Sequence, residues 1–326
     1  MSNRIQTLLA VATCALATLT FTGEAKAQHP NPESLRTWVD QGNYSKFKGN
    51  KIFVHASGPK SKDGTGVLIV HGFPGSSWDW KGVVAIVGKK TRVVVPDMIG
   101  FGHSDKPKTG TFKDNFSLMT QANMYEAIAR EEGLTNVILV AHDMGQTVGA
   151  ELMARHDEGK LSFKIKHAII VNGSTLVDMV KLAPLQEELL KAPDKALTKH
   201  LDFKEFGDGL RISFSKEHAA SQETIDCMTA QVFAHDGDLV IAQTMKYLDE
   251  RREFYDRWVG TLTGFHSAPM SVYWGTQDPV ALEAMADRIK SWRPVTDLHK
   301  WKDVGHWPSI EVPDRLAKAI LDRLEG

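Results

Sequence analysis

The sequence predicts an α/β protein, a mostly parallel, doubly wound sheet into which a helical cap is inserted. Three observations lead there. Short all-apolar runs alternate with segments of helical periodicity over most of the chain, as expected of parallel strands buried on both faces. Residues 136–154, NVILVAHDMGQTVGAELMA, compress a buried strand, an abrupt turn at Asp143 and an amphipathic helix into one unit. Between residues 174 and 260 strand-like runs vanish, and helical patterns with Leu, Met and Phe replace them.

The chain has 326 residues. Arg4 precedes an apolar run from Leu8 to Phe21, and Ala25-Lys26-Ala27 forms a small-x-small cleavage site. Residues 1–27 therefore read as a secretory signal peptide, and the mature chain is expected to be exported, periplasmic or secreted, with no membrane anchor after cleavage. The apolar run is interrupted by threonines and falls short of the ~20 apolar residues that a span needs. Residues 28–326 suit one α/β domain of ~250 residues or slightly more carrying an insertion. Cys14 lies in the leader and Cys227 would remain alone, so no intramolecular disulfide can form. A net charge of −1, with both signs spread along the chain, argues against a polyanion-binding surface and against nucleic acid as a partner.

Gln28 to Asn50 is polar, carries Pro30 and Pro32, and reads as a leader settling into the domain. Lys51–Ala56 and Gly66–His71 read as strands, the second continuous enough to be buried. His71-Gly72-Phe73-Pro74 follows it. A loop of this kind can point the Phe73 amide into a site, where with the Met144 amide it makes an oxyanion hole; the alternative is an ordinary strand-ending turn. Arg92–Val95 is another buried strand, and the loop from Pro96 to Ser104 lacks the third glycine and helix start of a dinucleotide fingerprint. Phe116–Glu132 reads as a helix and Ile165–Val171 as a strand ending at Asn172-Gly173. The core thus spans residues 28–173 and 261–326, with the cap over 174–260. Its second part holds a strand at Pro269–Trp274, a helix at Ala281–Trp292, a strand at Leu298–Lys302 and a closing helix at Pro313–Leu324.

Asp143 sits where the chain reverses, and Ala141 and Gly145 flank it as the small neighbours that a crowded turn requires. This is the nucleophile-elbow pattern with aspartate in place of serine. A serine needs a base to remove its proton, whereas a carboxylate is already ionised at neutral pH. Carboxylates are poor at opening esters or amides, because the anhydride formed is less stable than the starting material, but they displace well at saturated carbon. Aspartate at the elbow therefore predicts an alkyl-enzyme ester, formed by opening an epoxide or expelling a halide, which an activated water then hydrolyses. The alternative is that Asp143 only caps the following helix.

Asp278, in Gly275-Thr276-Gln277-Asp278-Pro279, and His306, in Val304-Gly305-His306-Trp307-Pro308, also lie on strand-to-helix loops. In an open parallel sheet such loops gather at the carboxyl ends of the strands, so the three residues can converge. Singly, Asp278 reads as a turn residue and His306 as core or catalytic; together they follow the chain order nucleophile, acid, histidine. The 13 histidines include no HExxH pair and Cys227 has no partner cysteine, so neither a metal nor a cofactor is expected.

HGFP, DMIGFGHSDKP, AHDMG, GTQDP and GHWP occur in this order. On these motifs the chain resembles the α/β-hydrolase superfamily, and within it the epoxide hydrolase and haloalkane dehalogenase branch, over nearly all of residues 51–326. The stretch from His235-Asp236-Gly237-Asp238-Leu239-Val240-Ile241 through Tyr247 to Trp258-Val259-Gly260 resembles the cap of the mesoderm-specific transcript group. The resemblance implies Asp143 as nucleophile, His306 as the base for water and Asp278 as its orienting carboxylate. Dehalogenases of this branch commonly place a tryptophan after the nucleophile to bind the departing halide; here the residue is Met144, whose thioether offers no N–H. Epoxide hydrolases use cap tyrosines to donate to the epoxide oxygen, and Tyr247 resembles the second of these. No tyrosine lies between Tyr125 and Tyr247, which leaves His200 as a candidate for the missing donor. A cap-core aromatic is the alternative for Tyr247. The resemblance implies hydrolysis of a small apolar epoxide to a diol, with haloalkane dehalogenation as the runner-up. A catalytically silent hydrolase fold used for binding is the alternative of another class, and its mark, a broken triad, is missing.

Overall fold

A computed structural model describes residues 30–182, 184–192, 194–294 and 296–324; the expected signal peptide lies outside them. Eight strands form one sheet: β1 (Asn43–Phe47), β2 (Asn50–Ser57), β3 (Thr65–Val70), β4 (Arg92–Pro96), β5 (Asn136–Asp143), β6 (Lys164–Gly173), β7 (Met270–Gly275) and β8 (Asp297–Trp301). Their order is β1-β2-β4-β3-β5-β6-β7-β8. β2 pairs antiparallel with β1 and β4, and the remaining pairings are parallel. The apolar runs of β3, β4 and β5 are buried almost completely, because helices cover both faces of a parallel sheet.

Strand register assembles the site. Val70 lies opposite Ala141, which sets the loop after β3 beside the turn after β5. Asp143 in turn pairs with Gly173, bringing the end of β6 to the same place. The loops after β7 and β8 follow on the next two strands, at the same edge of the sheet.

The start of the domain holds two elements that its polar composition does not announce. Residues 28–50 are not simply a polar leader, since Glu33–Asp40 forms a helix that buries Leu35 and Trp38, and β1 pairs with β2 through a tight turn at Lys48-Gly49. β1 escaped because it is an edge strand whose side chains are mostly exposed, so it shows no apolar alternation.

Between β6 and β7 the described residues hold helices and no strand: Pro184–Lys191, Phe203–Arg211, Gln222–Phe233, Ile241–Thr244, Tyr247–Glu253 and Tyr255–Gly264. The last of these runs past the boundary expected at Gly260. Several buried polar groups tie this stretch to the helices and loops that cover the sheet. Glu250 accepts from Ser117 Oγ and Leu118 N, each at 2.6 Å, and Trp258 Nε1 donates to Glu151 at 3.0 Å. The Lys106 ammonium, buried under the stretch, donates to the carbonyls of Gln231, Val232 and Ala234. Among the described residues no helix is long and apolar enough to cross a membrane.

Candidate active site

Asp143 ends β5 with φ +50°, a left-handed conformation that an aspartate adopts only at an energetic cost of about 1 kcal/mol or more. The surroundings enforce it. A Cβ at Gly145 would sit 2.3 Å from the His71 carbonyl oxygen and 2.5 Å from that of Val70, so the helix Gly145–Asp157 can start here only without a side chain. A Cβ at Gly72 would lie 2.4 Å from Asp143 Cβ. The capping alternative does not hold: Met144 occupies the N-cap of that helix, with no side-chain cap bond.

The buried Asp143 carboxylate is bound asymmetrically. Oδ1 accepts from the Phe73 amide at 2.7 Å, and Oδ2 accepts from Ser174 Oγ at 2.9 Å. Burial raises its pKa, but the charges of His306 and Arg251, with the Met144 amide, outweigh burial and hold it below the ordinary carboxylate value. Asp143 is an ionised carboxylate at neutral pH.

His306 Nδ1 lies 2.7 Å from Asp278 Oδ2, and its Nε2 faces Asp143 Oδ2 at 3.8 Å. The longer distance exceeds a hydrogen bond, so the imidazole is aimed at the carboxylate without being tied to it. Burial pushes the His306 pKa down, yet Asp278 and Asp143 together raise it to about 9. Asp278 is itself fixed: Oδ1 accepts from the amides of Val280 and Ala281 at 2.7 and 2.9 Å, and Oδ2 accepts from Asn172 Nδ2 at 2.8 Å. The loop carrying His306 is clamped by Glu311, which accepts from the Gly305 and Trp307 amides, and by His142. Burial lowers the His142 pKa to about 4, so its neutral ring donates from Nε2 to the His306 carbonyl at 2.7 Å.

The helical stretch supplies one wall. Tyr247 is buried, its ring centroid 5.8 Å from that of Phe73, and its pKa is raised by burial and by the charge of Asp143. One helical turn on, the Arg251 guanidinium carbon lies 4.6 Å from the Tyr247 ring centroid, and Nε donates to Thr147 Oγ1 at 2.8 Å. His200 is not the second donor, because its half-exposed ring turns to Asp238 at 3.0 Å. The sequence reading missed Asn172, Ser174 and Arg251. For the last a signal existed: Arg251 follows Tyr247 by four positions and shares its helix face.

The assembled groups can attack a saturated carbon with Asp143 Oδ2 while Oδ1 rests on a backbone amide. They can then deliver a water through His306 to the carbonyl carbon of the ester formed.

The profile described as the alpha/beta hydrolase fold matches residues 66–313. The LipZ hydrolase of Mycobacterium tuberculosis is 31% identical over 291 residues, 89% of this chain and 98% of that protein. The mesoderm-specific transcript homolog protein of Homo sapiens is 31% identical over 301 residues, 88% of this chain and 87% of the relative. Among solved structures, a loop variant of the haloalkane dehalogenase DbeA from Bradyrhizobium elkanii superposes with a TM-score of 0.67 at 17% identity, covering 87% of this chain and 97% of its own. Fold, profile and relatives agree, and the chain belongs to the α/β-hydrolase fold family as one of its hydrolases.

Proposed function

We propose that this hydrolase converts epoxides to diols through an alkyl ester on Asp143. The observation that carries the reading is the asymmetric binding of an ionised carboxylate at the elbow, one oxygen on the Phe73 amide and the other toward His306. In the first step Asp143 Oδ2 forms a bond to an epoxide carbon, and the ring C–O bond breaks with its electron pair passing to oxygen. The proton held by His306 neutralises that oxygen, which leaves the imidazole neutral. In the second step His306 takes a proton from water, the hydroxide attacks Cγ of the ester, and the Phe73 and Met144 amides hold the oxyanion. Collapse expels the diol, protonated by His306, and the carboxyl group formed on Asp143 returns its proton to His306.

Two features favour an epoxide over a haloalkane. Tyr247, the residue that resembles a cap tyrosine of epoxide hydrolases, is buried with its ring packed against the oxyanion-loop residue Phe73. Met144 has no N–H in its side chain to hold a halide.

Replacing His306 with Gln tests the division of labour. The first step is expected to run more slowly, with solvent water supplying the proton that His306 gives in the wild type, and the second to stop, leaving an adduct on Asp143 with the mass of the whole epoxide. Intact-protein mass spectrometry with peptide mapping reads this directly. An adduct on any other residue would sink the assignment, and halide release from haloalkanes without epoxide turnover would install the runner-up.

A further inference from the structure

Arg251 is a buried cation that the reaction as written does not use. Its residue is 1% exposed, and only Nε is hydrogen-bonded. Both terminal nitrogens, Nη1 and Nη2, have no hydrogen-bond partner among the described residues. The acidic neighbours on its own helix are engaged elsewhere: Asp249 with Arg252, Glu250 with Ser117, Glu253 with Lys113. Asp143 lies close enough for the two charges to interact, but no ion pair joins them. A buried guanidinium with two idle donors destabilises a fold, and such a group persists where something else completes it.

Its surroundings say what that is. Tyr247 lies under the guanidinium, Thr147 belongs to the first turn after the elbow, and Asp143 is the nearby opposite charge. We infer that the free edge of Arg251 receives the oxygen that departs from the substrate carbon, acting beside Tyr247 as the second donor of the site. This rests on the reading of Asp143 as nucleophile.

The charges balance through the step. Before reaction the site holds two anions, Asp143 and Asp278, and two cations, Arg251 and His306. When Asp143 Oδ2 bonds to carbon and the C–O bond breaks, the negative charge leaves the carboxylate and appears on the departing oxygen. Arg251 then trades a nearby anion that it does not hydrogen-bond for one at its donor edge, while the total in the site stays the same. A guanidinium never gives up its proton at working pH, so it holds that oxygen before any proton has moved, with charge-assisted bonds stronger than those of a neutral phenol. The substrate class follows: strained oxygen rings whose ring oxygen becomes anionic, including those that open to a carboxylate, which suits the two parallel donors of the fork.

The test uses the full chain with Arg251→Met and Arg251→Lys, each with and without His306→Gln so that alkylation of Asp143 is timed alone. Arg251→Met is expected to slow adduct formation by ~10²–10³-fold, the usual effect of losing one oxyanion donor. Its melting temperature should not fall, because an unpaired buried charge has been removed. Arg251→Lys keeps the charge without the fork and should lose about tenfold. Formate is expected to compete with substrate in the wild type and to lose that effect in Arg251→Met. An unchanged alkylation rate in Arg251→Met would overturn the inference while leaving Asp143 as nucleophile. If the Met variant does not fold, the Lys variant decides: wild-type alkylation without formate competition overturns the inference. If His306→Gln with Arg251 intact yields no adduct on Asp143, the nucleophile reading fails and this inference falls with it.

Discussion

Removing the charge of Asp143 should change the protonation of His306, and the geometry sets the size of the change. The two groups lie 3.8 Å apart in a buried site, with Asp278 on the other side of the ring at 2.7 Å. At an effective dielectric of about 20 a pair at this distance interacts by ~4 kcal/mol, and stronger screening halves that. Since ~1.4 kcal/mol corresponds to one pH unit, Asp143→Asn should carry the His306 pKa from about 9 down to about 6–7.5. Alkylation by substrate removes the same charge, so one side chain is an acid in the free enzyme and a base in the ester. Imidazole nitrogen NMR across pH 5–10, on freshly prepared wild type and Asp143→Asn, measures this. A His306 that still titrates near 9 in the variant would refute the coupling. In turnover, kcat/KM should decline above about pH 9 as the imidazolium is lost, while kcat rises through a lower limb where His306 in the ester deprotonates. Stability follows the same sign. A folded-state pKa raised above the ordinary histidine value contributes stability fully present below about pH 6.5, and this is lost as pH rises through about 9.

Two other outcomes follow from the site's construction. Tyr247→Phe should slow ring opening by ~10²-fold with the fold intact, measured as the rate of adduct formation; an unchanged rate would remove the hydroxyl from the reaction. Gly145→Ala forces a Cβ within 2.3–2.5 Å of two backbone carbonyl oxygens, so it should cost about 3 kcal/mol or more in thermal or urea denaturation, and wild-type stability would contradict the crowding argument.

The sequence alone determined the alternation of buried strands and helices, the turn at Asp143, and the placing of Asp278 and His306 on loops after later strands. Each rests on information carried within a few residues: an apolar run for a strand buried on both faces, small residues where a turn is crowded, a loop at a strand's end. β1 left no such trace, because an edge strand with exposed side chains has no periodicity to read. The tertiary structure decided the rest of the site. Ser174 reaches Asp143 only because β5 and β6 pair in a register that sets Gly173 opposite Asp143, and Asn172 reaches Asp278 only across the gap between β6 and β7. Arg251 stands in a charged run, DERRE, that reads locally as a solvated helix face. Its burial arises because the helix packs down over the elbow with Tyr247 and Arg251 inward. No local pattern encodes that packing, since it depends on contacts between residues about a hundred positions apart.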